Sequence, residues 1–218
     1  ANMEKEGWIT AAEHAAALDD TPKLSPDAVS NEGDYGWVLD YATTMKAPAY
    51  LAINPMGKVP AIEHRGVVVT EAAAICCHLA DAFPEAGLAV PLGDPGRGPY
   101  LKWLFFAPGA LEPAIIDRML KREPGPRRTM GYGDFETVMD VLAAAVEPGP
   151  YLMGDRFTTA DILIGSGLRW GMIVGTVPER PELRAYISRL ETRPALQRAQ
   201  ARDAEVMGSD PLAKATAL

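Results

Sequence analysis

Apolar and polar positions along the 218-residue chain follow two different spacings. In the first part, AIEH, RG and VVVTE (residues 61–71) read as a strand, a turn and a strand. EAAAICCHLADAF then reads as a helix with Ala72, Ile75, Cys76, Leu79 and Phe83 on one face. From about residue 98 only helical spacing remains, in YLKWLFFAPGALEPAIIDRMLK, FETVMDVLAAAV, TADILIGSGLRWGMIV, ELRAYISRL and ALQRAQARDAE, with Pro/Gly breaks between them. Pro108 and Gly109 are expected to bend the first of these helices, because proline lacks a backbone donor and clashes with the preceding turn. Between the two parts, PEAGLAVPLGDPGRGP concentrates proline and glycine as a linker does. The expected organisation is a mixed α/β domain over residues 1–83, a linker over 84–97, an all-helical domain over 98–207 and a frayed tail over 208–218.

Pro60 stands where the first strand should begin. A residue that cannot donate a ladder hydrogen bond belongs at the first position of a strand or on an edge, and a bond to proline is the one that readily becomes cis. A cis Val59–Pro60 bond is expected, with the Val59 amide and carbonyl available to an extended peptide that adds itself as a short strand. Glu71 falls where the second strand ends and the helix begins. There a carboxylate can hold an amino group while the first free amides of the helix hold a carboxylate. The two features together suit a small zwitterionic peptide.

Composition narrows the field further. With 48% hydrophobic and 23% charged residues the chain is that of an ordinary globular protein, and 29 acidic against 21 basic residues give a net charge of −8. That balance argues against nucleic acid and anionic membrane surfaces as partners. No run approaches the ~20 apolar residues of a membrane helix. The opening ANMEKEGW lacks the basic start and apolar core of a signal peptide, so the cytoplasm is the expected location. Cys76 and Cys77 are the only cysteines, and being neighbours they form no loop-closing framework. Cys76 reads as a buried structural thiol more readily than as a redox residue. His14, His64 and His78 share no metal-ligand spacing, and no metal is expected.

YLAINPMGKVPAI, followed by a short hairpin, VVTEAAAI and an HLAD helix, resembles the second half of the glutathione-binding domain of the glutathione S-transferases. YLMGDRFTTADILIG is similar to that family's signature in the helical domain, with Thr158 and Asp161 as a T-x-x-D variant of the capping box at a buried helix start. The resemblance spans roughly residues 46–205. It implies an α/β thioredoxin-like N-terminal domain, an all-α C-terminal domain and a homodimer. The implied activity is joining glutathione to a small hydrophobic electrophile, as in detoxification. Carried over residue by residue, Val59 would pair its backbone with the cysteinyl part of glutathione, Pro60 would be cis, Lys58 would reach the glycyl carboxylate and Glu71 would face the γ-glutamyl group. Trp103 and Phe106 would line the apolar pocket, or alternatively pack in the core or at a dimer contact.

Two departures from the family pattern stand out. Ala72 replaces the usual serine at the helix start, which keeps the backbone amide but removes one hydrogen bond worth ~1 kcal/mol. Residues 1–45 do not divide into the usual strand, catalytic loop, helix and strand. KLSPDAVSN resembles the end of the first strand and its loop, WVLDYATTMKAPAYL the second strand and its exit, and only EGDYG lies between. TAAEHAAALDD ahead of them reads as a helix, with Thr10 and Glu13 as a capping box. Either this segment fills the place of the missing helix or the N-terminal sequence is altered. The reaction needs a thiolate, and a hydroxyl aimed at the sulfur lowers its pKa from ~8.5. Ser25, which precedes a proline, and Ser30 are the candidates, with turn hydrogen bonds beside Pro26 and Asp27 as their plainer role. The alternatives to a transferase are a glutathione-dependent peroxidase or dehalogenase, and a protein that keeps the fold for binding or assembly.

Overall fold

The computed structural model describes residues 46–123 and 125–207, and the chain divides into two compact units between Ile75 and Cys76. Among the described residues of the first unit, helix α1 (Pro48–Ile53) has proline at a first-turn position whose amide would have had no helical partner. Strands β1 (Ala61–His64) and β2 (Val67–Thr70) pair antiparallel, with Ala61 opposite Thr70 and His64 opposite Val67. Arg65 and Gly66 connect them with φ of 54° and 77°. Positive φ at both central residues is the mirror-image turn whose twist matches the flanking strands, so RG closes the hairpin with no extra residue.

Helix α2 (Ala72–Ala82) follows one residue after β2. Its buried positions are Ala73, Ile75 and Ala80, whereas Ala72 and Phe83 of the expected apolar face are exposed. Ala73 and Ala80 are two helical turns apart and so lie on one side of the helix.

In the second unit the residues after α2 are more than a spacer. A short 3₁₀ turn (Pro84–Ala86) ends at Gly87, Val90 is only 2% exposed within the helical core, and the Leu88 carbonyl accepts the Thr159 amide at 2.9 Å. Helix α3 (Arg97–Phe106) passes into a π-helical turn over Ala107–Leu111 and continues as α4 (Glu112–Met119). The widened turn contains Pro108 and Gly109, where the missing amide of proline is absorbed by the altered hydrogen-bond pattern. Helices α5 (Phe135–Val146), α6 (Thr159–Ile173), α7 (Pro181–Glu191) and α8 (Pro194–Met207) complete the described chain. Asp134 caps α5 by accepting the Thr137 amide at 2.8 Å. Tyr100, Leu104, Met139, Leu142, Ile164, Leu168 and Tyr186 fill the core of this unit.

Asp161 organises that core. Its carboxylate is fully buried and accepts from the Leu152 amide at 2.9 Å, the Thr158 amide at 2.8 Å, the Thr158 hydroxyl at 3.2 Å and the Tyr186 hydroxyl at 2.9 Å. The Thr158–Asp161 capping box expected from T-x-x-D is therefore in place, extended by donors from the preceding loop and from α7. Burial, and after it the Asp161 charge, pushes the Tyr186 phenol far above its ordinary range, so it stays a donor at any physiological pH. Asp161→Ala would orphan several buried donors at once. We expect it to cost about 3 kcal/mol or more in urea-unfolding measurements, against a much smaller loss for an exposed acid such as Asp155→Ala.

Candidate functional site

The candidate residues of the first unit lie at the open end of the hairpin. Pro60 and Glu71 are the next residues outward from the Ala61–Thr70 pair, so Lys58, Val59 and Pro60 on one strand's approach run beside Glu71 and Ala72 on the other strand's exit. The Val59–Pro60 peptide is cis. Val59 is 47% exposed, and among the described residues its amide makes no backbone hydrogen bond. Glu71 takes φ of 68°, the left-handed region that costs a residue with a Cβ about 1 kcal/mol or more, and its carbonyl accepts the Ile75 amide at 2.9 Å. It thus serves as the entry residue of α2, with an exposed carboxylate beside the first helical amides.

The approach to Val59 is held by side chains that pattern reading did not single out. Tyr50 donates its hydroxyl to the Lys58 carbonyl at 2.6 Å, and Asn54 donates its Nδ2 to the same oxygen at 2.7 Å. Asn54 Oδ1 accepts the Met56 amide at 3.1 Å, which orients the side-chain amide, and Asn54 is 3% exposed. The two residues are one helical turn apart, the signal that places both on one face of α1. Gly57, with φ of 57°, turns the chain back toward them.

In the second unit Trp103 and Phe106 lie one turn apart on α3, their rings edge-to-face with centroids 5.4 Å apart. Trp103 is buried in the helical core and carries Lys102 Nζ 3.6 Å from its ring centre, while Phe106 is half-buried at the margin of that core. Ser25 and Ser30 lie outside the described residues, as do the helix expected at TAAEHAAALDD and the tail expected at 208–218.

Cys76 and Cys77 sit half-buried against the helical core. Burial raises both thiols above their ordinary range. The neighbouring Cys77 adds to the rise at Cys76, and the Asp81 carboxylate adds to it at Cys77 despite the opposing Arg97. Arg97 Nη2 donates to Cys77 Sγ at 3.8 Å, while its shorter bonds, two of 2.7 Å to Asp81 and one of 2.7 Å to the Val90 carbonyl, tie the start of α3 to α2 and the intervening chain. Among the described residues no group of three or more His, Cys, Asp and Glu is placed to hold a metal ion. Because raised thiols carry little thiolate near neutrality, iodoacetamide at pH 7.4 is expected to alkylate the native protein at least ten-fold more slowly than free cysteine. Alkylation as fast as that of free cysteine would show a nucleophilic thiol.

Family models match the chain twice: "Glutathione S-transferase, N-terminal domain" over residues 32–82 and "Glutathione S-transferase, C-terminal domain" over residues 134–194. Among curated proteins, glutathione S-transferase GstA of Escherichia coli O157:H7 is 29% identical over 150 residues, 68% of this chain and 75% of that protein. Among solved structures, the glutathione transferase of Methylococcus capsulatus str. Bath is 32% identical with a TM-score of 0.60, over 70% of this chain and 77% of that one. A sphingomonad glutathione S-transferase complexed with glutathione is 28% identical with a TM-score of 0.58, over 70% and 77% of the two chains. The architecture is accordingly an α/β thioredoxin-like N-terminal domain with an all-α C-terminal domain. The first family model covers the described hairpin and α2, and the second covers α5 to α7.

Proposed function

The chain belongs to the glutathione S-transferase family and is an enzyme of that family, and we propose that it joins the thiol of glutathione to a small apolar electrophile. The observation that carries this reading is the open end of the hairpin. Val59, an exposed residue whose amide has no backbone partner among the described residues, runs beside Glu71 at the helix entry, a pairing of features suited to an extended peptide with a charged amino end.

In this reading the Val59 amide and carbonyl pair with the cysteinyl residue. Glu71 faces the γ-glutamyl ammonium, the Ala72 amide its carboxylate, and Lys58 the glycyl carboxylate. A hydroxyl at Ser25 or Ser30 donates to the sulfur and favours the thiolate. The thiolate sulfur then forms a bond to an electrophilic carbon while the leaving group departs with its electron pair and the thiol proton passes to solvent. The protein contributes binding, thiolate stabilisation and proximity. In the helical domain, Trp103 backs Phe106, and the pair supplies apolar surface for the electrophile.

The proposal includes a homodimer in the cytoplasm, with domain limits at residues 83 and 98; among the described residues no helix is long and apolar enough to cross a membrane. Calorimetric titration with glutathione and with S-hexylglutathione tests the reading. Both are expected to bind, and Glu71→Ala is expected to raise the dissociation constants ten-fold or more, the ~1.5 to 3 kcal/mol of a charge-assisted hydrogen bond. Unchanged affinity in Glu71→Ala would remove that residue from the site. Either Ser25→Ala or Ser30→Ala is expected to lower turnover far more than affinity, and normal turnover in both would reject a hydroxyl at the sulfur.

A further inference from the structure

We infer that Tyr50 and Asn54 are positioning residues for glutathione, acting through the Lys58–Val59 peptide. The inference rests on the glutathione reading above and adds to it how the binding edge is held.

The Lys58 carbonyl and the Val59 amide belong to one peptide unit, which is planar and, among the described residues, not one of the cis bonds. In a trans unit the C=O and the N–H point in opposite directions, so whatever fixes the oxygen also fixes the hydrogen. Here the oxygen is fixed from two sides, by the Tyr50 hydroxyl at 2.6 Å and the Asn54 Nδ2 at 2.7 Å. Two short hydrogen bonds to one carbonyl oxygen, whose two lone pairs allow both, oppose rotation of the peptide plane about the chain.

The donors are themselves held. Tyr50 and Asn54 are 7% and 3% exposed, both on or next to α1, and the Asn54 side-chain oxygen Oδ1 accepts the Met56 main-chain amide at 3.1 Å. The Asn54 amide donates to Tyr50's carbonyl at 2.8 Å and the Gly57 amide returns to Asn54's carbonyl at 2.8 Å, so the turn is tied to the helix end by main chain as well. With the carbonyl drawn toward α1, the Val59 amide points away from it on a residue that is 47% exposed. Tyr50 and Asn54 touch no substrate in this arrangement. They lower the cost of ordering the amide that glutathione must meet, which is preorganisation.

Two near-isosteric changes test this. Tyr50→Phe removes one donor and keeps the ring. Asn54→Asp keeps the acceptor for Met56 and sets a carboxylate oxygen against the Lys58 carbonyl. Calorimetry with S-hexylglutathione separates affinity from the binding-competent fraction: a positioning role raises the dissociation constant, about ten-fold for each variant, at unchanged stoichiometry. A role in stability alone lowers the stoichiometry or the melting temperature and leaves the dissociation constant where it was. A dissociation constant within two-fold of the parent in Tyr50→Phe overturns the inference, even if Asn54→Asp fails to fold. If the parent binds and Glu71→Ala weakens binding while Tyr50→Phe does not, the positioning role alone is rejected. If the parent binds neither glutathione nor S-hexylglutathione, the glutathione reading falls and the positioning role falls with it.

Discussion

A main-chain polar group must be paired, solvated or kept for a ligand, and at residues 54–60 that requirement decides how the chain runs. Pro60 has no amide to give, so the ladder between β1 and β2 begins after it, at Ala61. The Lys58 carbonyl, one peptide earlier, is satisfied inward by Tyr50 and Asn54. Val59 stands between these two solutions with its amide unclaimed among the described residues. The hairpin then returns the chain to the same place, bringing Glu71 beside Pro60 through a two-residue turn. Local backbone bookkeeping therefore builds an edge suited to one more short strand.

The helical unit meets the same requirement with a buried charge. An isolated carboxylate in an apolar core is prohibitive, and four donors from three stretches of chain offset the cost at Asp161. Removing a partner is far worse than never having placed the group, so the network penalises any packing in which α6, α7 and the loop before them are out of register. Close approach reinforces it. A Cβ at Gly165 would collide with the Leu190 side chain, which lets α6 and α7 pack as tightly as they do.

Features whose cause lies within a few residues were legible in the sequence. The RG turn, the strand-start proline, the helix-entry glutamate and the Thr158–Asp161 box each follow from one residue's backbone or side-chain chemistry and each stands where expected, although the left-handed φ of Glu71 was not foreseen. That regular α-helix is interrupted at Pro108 was legible for the same reason, though the form of the interruption, a π turn, was not. Features that join distant positions were hidden. Nothing in a Pro/Gly-rich stretch indicates that Val90 enters the core or that Arg97 reaches back to Asp81, because those contacts depend on how the chain doubles over itself. Tyr50 and Asn54 carried no signal of their own in the sequence, since their role appears only when both side chains converge on one oxygen. Trp103 could not be divided between pocket and core from spacing alone, because a ring at 7% exposure packs against its neighbours in either role. The resemblance to the transferases was carried by the same local motifs, and Ser25 and Ser30 lie outside the described residues.

The central claim is that the Val59 main chain is the edge on which glutathione lies. A crystal structure of the protein with S-hexylglutathione tests it most directly. The account predicts the cysteinyl residue extended beside Val59, with both the Val59 amide and carbonyl within about 3.2 Å of its main-chain partners. A ligand bound elsewhere, or one that leaves those two groups to water, would contradict it.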